Sequence, residues 1–457
     1  MRFMEIILQI YEIIFNFALK LIFIMRKLLL AIGCCLWAVA ISAQPIRDEI
    51  GRNTRYSAGI YMTYPGPIQQ KLTPPPEGMK PFYISHYGRH GSRYQSRQKI
   101  YDAPYSILEA ADRIHVLTPL GRDVLKRLDV IRRDAADRWG ELTSVGAMQQ
   151  RQIITRMVSR FPEVFDKECT VDARSTTMTR SLLSMENALV QLSALKPDVK
   201  IHHNATARDM PFLNQQDEDL FLLSEDSVTR AIYDAYVHKT VHPERLVASL
   251  IKDENFIRNH VDVYDFNNDL FRIASSIQNT DLSQQLTLYD LFTDDEIFDN
   301  WRVGNARWYI THGGFPLNGG GQPYSQRNLL RKIIAQADSC VRQPNPNVHL
   351  RYGHATVIMP LVCLLELDGY GLSTDNLDDL DRKQWADFRI FPMSANIQFV
   401  FYRRQPDDSD VLFKVLLNEN EATLPLKSNM EPYYRWSDFK AYFLKKLEAY
   451  EGKRNEK

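Results

Sequence analysis

Three short runs of strand-forming residues are each stopped and then followed by a helical segment, and this pattern constrains the fold most. Pro81-Phe-Tyr-Ile-Ser-His-Tyr87 reads as a strand that Gly88 turns into a loop. Cys169-Thr-Val-Asp172 reads as a second strand, with a helix running on through Leu189. Asn347-Val-His-Leu-Arg-Tyr352 reads as a third, broken by Gly353 and followed by an apolar helix from about Val357 to Leu367. Strands that alternate with helices bury themselves best as a parallel sheet with helices on its faces. Helical periodicity also covers 101–135 and 142–161, with Thr118-Pro119 and Thr143 as helix starts. Asn396–Tyr402 and Val411–Leu417 are two late strands, and a last helix begins near Ser437. Residues 215–300 are rich in polar helix formers with few strand signals, whereas prolines 65, 67 and 74–76 make 44–80 irregular. The predicted architecture is an α/β fold: an open, mostly parallel sheet flanked by helices. Its core is discontinuous, 44–200 and 305–457, and 201–304 form a mainly α-helical cap insertion.

The first 43 residues stand apart. Met25-Arg26-Lys27 is basic, Leu28 to Ile41 is apolar, and Ser42-Ala43 ends in a small residue, which is the grammar of a signal peptide cleaved after Ala43. Residues 1–24 read as an upstream extension. The expectation is an exported protein, periplasmic, secreted or on the outer surface. A membrane is involved only if this segment stays uncleaved as an anchor. The whole chain carries 56 basic and 56 acidic residues, and losing 1–43 leaves a net of about −2. That balance argues against nucleic acid as a partner, because a general binder carries a basic excess. Any anionic ligand must be met by a local cluster of cations. Cys169, Cys340 and Cys363 remain in the mature chain, match no zinc spacing and read as buried free thiols. A monomer is the expectation.

The residues that carry chemistry lie just past the first strand, in Arg89-His90-Gly91-Ser92-Arg93. In open α/β sheets ligands bind beyond the carboxyl ends of strands. Arginine offers a fork of donors that matches phosphate oxygens, and glycine lets backbone approach an anion. A neutral imidazole between such cations can attack phosphorus while the arginines neutralise the transferring group.

Arg-His-Gly-x-Arg resembles the signature of the histidine acid phosphatases, the branch that includes phytases and multiple inositol polyphosphate phosphatases. Other segments agree in order. Leu142-Thr-Ser-Val-Gly146 with Gln149 resembles the family's LTxxGxxQ helix start, and Thr179-Arg180-Ser181 the helix bearing a further phosphate-binding arginine. Asn305–Tyr309 resembles the helix after the cap, Tyr352-Gly353-His354-Ala355 the second-histidine motif, and Pro392–Asn396 the next core segment. The resemblance implies an exported phosphomonoesterase, with inositol polyphosphates as the favoured small-molecule substrate, that works through a phosphohistidine without cofactor or metal. It makes His90 the nucleophile and Arg89, Arg93 and Arg180 the phosphate ligands. It places His354 against the phosphate from the other half of the core, and Arg97 as another cation near the substrate.

The sequence departs from that family at two places. Gln95 stands where proline is common. Ala355 and Thr356 stand where relatives carry an aspartate or glutamate that protonates the leaving alcohol. General acid catalysis is worth about 10²–10⁴-fold, so two alternatives follow. One is a catalytically weakened phosphate-ester binding protein, and the other an acid phosphatase acting on sugar phosphates. Three further features take bland readings. His202-His203 reads as a surface strand end and Gly319–Gly321 as a loop, while Leu270 spoils a calcium-loop pattern that starts at Asp265. The basic end from Gly452 reads as a frayed tail.

Overall fold

The computed structural model describes residues 45–166, 168–215, 217–343, 345–408 and 411–455. The signal peptide read at 1–43, with Cys34 and Cys35, lies outside the described residues. The chain divides into two compact units, 1–49 and 50–457, and only residues 45–49 of the first are described. Everything below concerns the second.

A single eight-stranded sheet runs through it in the order β3-β2-β4-β1-β5-β6-β7, with β8 paired to β6. The strands are β1 Lys80–Arg89, β2 Thr170–Ser175, β3 Lys200–Asn204, β4 Val348–Gly353, β5 Asn396–Arg403, β6 Leu412–Leu417, β7 Asn420–Ala422 and β8 Tyr434–Arg435. β1, β2, β3 and β4 pair in parallel, while β5 is antiparallel to β1 and β6 to β5. Five of the eight strands therefore run one way, so the sheet is mixed but mostly parallel in direction.

Alternation along the strands builds two cores. Tyr83, Tyr87, Phe399 and Phe401 point to one face, where they pack with Leu330, Ile333, Val357, Leu361 and Phe443. Ile84, Val171, Leu350 and Val400 point to the other, against Ile154, Met157, Met185 and Leu192. Helices Arg327–Arg342, Ala355–Leu365 and Trp436–Asn455 thus cover one face, and Ser144–Arg160 and Thr179–Leu195 the other. Ala355–Leu365 has mean hydropathy high enough to be buried all round, and only Thr356 escapes full burial. Among the described residues no helix is long and apolar enough to cross a membrane.

Local chemistry sets the boundaries. Thr118 caps Pro119–Ala135 through the Gly121 N–H (2.9 Å), and Thr143 caps Ser144–Arg160 through the Gly146 N–H (3.2 Å). The periodicity over 101–135 resolves into two helices, Gln98–Arg113 and Pro119–Ala135. Between Asn204 and Val348 the described residues form helices, turns and loops without a strand. Residues 54–61, expected to be irregular, form a 3₁₀ stretch kinked at Gly59. His202 and His203 lie on exposed edge strand β3, where His203 Nδ1 is 3.0 Å from Glu186. Asp265 to Asp269 are helical, within Val263–Ile277. All three described cysteines are buried free thiols. The basic end is not a frayed tail: the last helix reaches Asn455, and Arg454 is paired with Asp217 (3.0 Å) and with Asp219.

Candidate active site

Register brings three strand ends together. Arg89 at the end of β1 lies beside Gly353 at the end of β4, and Ser175 at the end of β2 lies beside Tyr352. His90 therefore follows β1, His354 follows β4, and Thr176 and Arg180 follow β2, all at the carboxyl edge of the parallel half.

His90 is fixed from both sides. Its backbone N–H donates to the Gly353 carbonyl (2.9 Å), and its carbonyl accepts from the Ser394 N–H (3.1 Å). Its ring Nδ1 is 2.9 Å from the Gly91 carbonyl oxygen. A carbonyl only accepts, so Nδ1 carries the proton and Nε2 keeps its lone pair. Burial, and then the charges of Arg89, Arg93 and Arg180, hold the imidazole well below its ordinary pKa, hence neutral. The His354 ring stands 5.8 Å from it, centroid to centroid, and its Nε2 lies 3.1 Å from the Thr176 hydroxyl. Burial, with Arg180 next, pushes His354 down to about 3.

Three guanidiniums surround this pair. Arg89 is 1% exposed and spends Nη1 on the carbonyls of Ile60 (2.7 Å) and Phe391 (2.8 Å). Arg93 donates from Nη1 to the Tyr94 carbonyl (2.7 Å). The Nε atoms of Arg89, Arg93 and Arg180 are buried without a hydrogen-bond partner among the described residues. Burial and mutual repulsion push Arg89 down to about 9 and Arg180 to about 10, so both stay cationic at neutral pH. Buried like charges whose bonds reach only neutral carbonyls, with donors left over, form a site that an anion would complete.

The loop is held by two facing glycines. A Cβ on Gly91 would lie 2.5 Å from the Gly146 carbonyl oxygen, and one on Gly146 would lie 2.3 Å from the Ser92 oxygen. With both absent, the Ser92 carbonyl accepts from the Thr143 N–H (3.0 Å) and hydroxyl (3.1 Å). Gln149 accepts from the Ser92 N–H (3.0 Å), and Gln150 donates to the Arg89 carbonyl (3.2 Å). Gln95 donates its N–H to the Tyr101 hydroxyl (2.8 Å), a bond proline could not make, and its side chain reaches the Arg272 carbonyl (3.3 Å).

The structure thus gathers Arg89, His90, Arg93, Arg180 and His354. Arg97 stands outside that cluster. It is exposed before helix Gln98–Arg113 and lines a separate recess of about 560 Å³ with Lys99, Asp265, Asp269 and Arg272.

Sequence reasoning missed the other half of the site. A cavity of about 610 Å³ is lined by Thr356, Tyr61, Tyr233, Arg272, Trp308 and Asp387. Tyr61 joins it to the arginine cluster, with its ring 5.7 Å from the Arg93 guanidinium and its hydroxyl 3.4 Å from Arg272 Nη2. Burial alone would raise the Tyr61 hydroxyl, but Arg272, Arg93 and Arg89 together bring it below its ordinary value. Asp387 is buried and accepts from the Trp301 indole N–H (3.0 Å) and the Phe388 N–H (2.8 Å). Burial pushes it up to about 7. The proline-rich stretch before β1 gave no period that could have flagged Tyr61. The empty acid position at Thr356 was the one signal that something else must line this side. Among the described residues no group of three or more His, Cys, Asp or Glu is placed to hold a metal.

Comparisons with known proteins bear on the family and the fold. Residues 88–418 match the model of the histidine phosphatase superfamily (branch 2). Human multiple inositol polyphosphate phosphatase 1 is 25% identical over 338 residues, which is 66% of this chain and 66% of that protein's length. The Bifidobacterium longum multiple inositol polyphosphate phosphatase, crystallised with inositol hexasulfate, superimposes with a TM-score of 0.73 at 17% identity, covering 85% of this chain and 97% of that one. The phytase from D. castellii gives 0.62 at 16% identity, over 86% and 85%. These solved structures share the fold.

Proposed function

The chain belongs to branch 2 of the histidine phosphatase superfamily, and from that premise we propose that it is an exported phosphomonoesterase working through a phosphohistidine. The observation that carries the reading is a neutral His90, with its Nε2 lone pair free, among the guanidiniums of buried Arg89 and Arg93 and half-buried Arg180, whose Nε donors have no partner among the described residues. The phosphoryl group of an ester sits against Arg89, Arg93 and Arg180, which offset its charge as His90 Nε2 attacks phosphorus. The P–O bond to the alcohol breaks as the P–N bond forms. Water then attacks phosphorus and returns the electron pair to Nε2.

Inositol polyphosphates are the proposed substrate class, since two of the relatives above are named for acting on them. The separate recess sets Arg97, Lys99 and Arg272 against Asp262, Asp265 and Asp269, so it offers no excess of cations for further phosphates. Export rests on the leader grammar of residues 1–43. A second reading, a phosphate-ester binding protein with weak turnover, is favoured by Thr356 at the acid position.

Quenching with alkali, in which the P–N bond survives, during turnover of a radiolabelled aryl phosphate is expected to trap a phosphohistidine on His90, and activity is expected to survive a chelator. Absence of the adduct under single-turnover conditions overturns the mechanism. An adduct that forms from aryl esters but turns over from no alkyl ester favours the second reading.

A further inference from the structure

Departure of an alkyl oxygen needs a proton, and Ala355 and Thr356 cannot supply it. Thr356 lines the 610 Å³ cavity, so the donor is to be sought on that wall. Each carboxylate there is engaged. Asp217 is paired with Arg327 (2.5 Å) and Arg454 (3.0 Å), and Glu225 with Arg307. Asp387 is protonated in part near neutral pH, but it is 2% exposed, with Oδ1 taken by the Trp301 and Phe388 N–H groups and Oδ2 packed against Gly59, so its carboxyl is tied to backbone and indole behind Gly59. His312 lines the cavity too, but burial pushes it down to about 4, so it carries no spare proton at neutral pH.

Two phenols remain, Tyr61 and Tyr233. Tyr233 lies under the Arg307 guanidinium at 5.3 Å, and burial raises its hydroxyl, making it the poorer acid. Tyr61 differs in both position and charge. Its hydroxyl accepts from Arg272 Nη2 (3.4 Å), and no acceptor takes its own proton among the bonds of the described residues. Its ring faces Arg93, and the carbonyl of its neighbour Ile60 accepts from Arg89, so it borders phosphate site and cavity alike. The charged groups facing it are Arg272 from helix Val263–Ile277 and Arg93 and Arg89 from the loop and β1, with the Tyr101 hydroxyl nearby. Around the cavity stand Asp217, Glu225, Arg307 and Asp387.

We propose that Tyr61 is the general acid of the reaction, delivering its phenolic proton to the leaving oxygen in place of the carboxylate that position 356 lacks. The inference rests on the phosphohistidine reading above. As His90 Nε2 bonds to phosphorus, the P–O electron pair passes to the alcohol oxygen, which takes the Tyr61 proton. The phenolate is held by Arg272 and Arg93. In the second step it takes a proton from the attacking water, the P–N pair returns to Nε2, and Tyr61 is restored. Tyrosine is an established type of general acid. The bound phosphate dianion offsets the arginines, which keeps the phenol protonated until the alkoxide develops.

The test uses the full chain and two monoesters, glycerol phosphate with an alkyl leaving group and nitrophenyl phosphate with an acidic one, in single turnover. Tyr61→Phe is expected to lower the alkyl-ester rate about 10²-fold more than the aryl-ester rate. The wild-type alkyl-ester rate falls at high pH as Tyr61 deprotonates, and that limb is expected to vanish in Tyr61→Phe. Placing Thr356→Glu in the Tyr61→Phe background is expected to return about 10-fold or more of the lost alkyl-ester rate. Equal losses on both esters, or an unchanged basic limb, overturn the proposal. Wild type that forms phosphohistidine from the aryl ester but does not cleave the alkyl ester overturns the Tyr61 role alone. Absence of any adduct from either ester overturns the phosphatase reading with it.

Discussion

At the scale of single residues, the proposed mechanism gives one residue a covalent role and shares an electrostatic one among three. His90 offers Nε2 because Nδ1 is committed to the Gly91 carbonyl. No neighbouring imidazole can take over, since the His354 Nε2 is 3.1 Å from the Thr176 hydroxyl and its ring centroid 5.8 Å away. His90→Ala is therefore expected to abolish phosphate release from every ester. Arg180 shares its charge with Arg89 and Arg93, and it is the least buried of the three. Arg180→Ala is expected to retain the phosphohistidine adduct while lowering turnover by about 10²–10³-fold, the usual cost of one transition-state donor. Quenched-flow measurement of adduct and free phosphate separates the two variants. Undiminished release by His90→Ala would remove His90 from the chemistry.

At the scale of elements, the loop after β1 is placed by a helix start more than by its own sequence. Gly146, in the first turn of Ser144–Arg160, lets the Ser92 carbonyl approach so closely that no side chain fits between them. The clash in Gly146→Ala is with backbone, which a rotamer change cannot relieve. That substitution is expected to cost about 1–3 kcal/mol of stability, read from chemical denaturation. Displacing the loop by about 1 Å is expected to lower turnover about 10²-fold. A variant with wild-type turnover would show that the loop finds its place without the glycine contact. The same elements show what was legible in the chain. β1, β2, β4, β5 and β6 announce themselves by β-branched and aromatic runs, and Thr143 by its capping chemistry. The 3₁₀ stretch to Tyr61 does not. It is held by Gly59 at φ 53°, by one hydrogen bond from Arg89 and by packing on helices distant in sequence, none of which leaves a periodic trace. Asp387 and Arg272 were silent for the same reason. Arg89, His90 and Arg93 form a local motif, whereas Arg180, His354 and the cavity's Tyr61, Arg272 and Asp387 come from segments scattered along the chain.

At the scale of the whole molecule, the fold buries a set of neutral imidazoles, most of them on or just past the strands of the sheet. Besides His90 and His354, burial pushes His86 down to about 3, His349 to about 2 and His312 to about 4. His86 has no hydrogen-bond partner on either ring nitrogen, and His349 Nδ1 meets the Tyr83 hydroxyl at 2.9 Å. In every case the folded pKa lies below the unfolded value of about 6.5, so the unfolded chain takes up protons first as pH falls. Stability is full above that value and declines progressively below it, by up to about 1.4 kcal/mol per pH unit for each imidazole. Asp387 acts in the opposite sense. Its folded pKa of about 7 lies above the unfolded value, so its burial costs less as pH drops from 7 towards 4. Burial raises Asp269 and Asp368 in the same sense, but five histidines against three such carboxyls leave the histidines in control. The melting temperature is thus expected to fall between pH 7 and pH 5. Saturating inorganic phosphate is expected to make that fall shallower, because a bound anion beside His90 and His354 favours their protonated forms and so narrows the gap to the unfolded state. Melting curves at the two pH values, with and without phosphate, test both parts. A melting temperature that rises towards pH 5 would contradict the first. A phosphate-induced increase of the same size at both pH values would place the anion away from the two histidines.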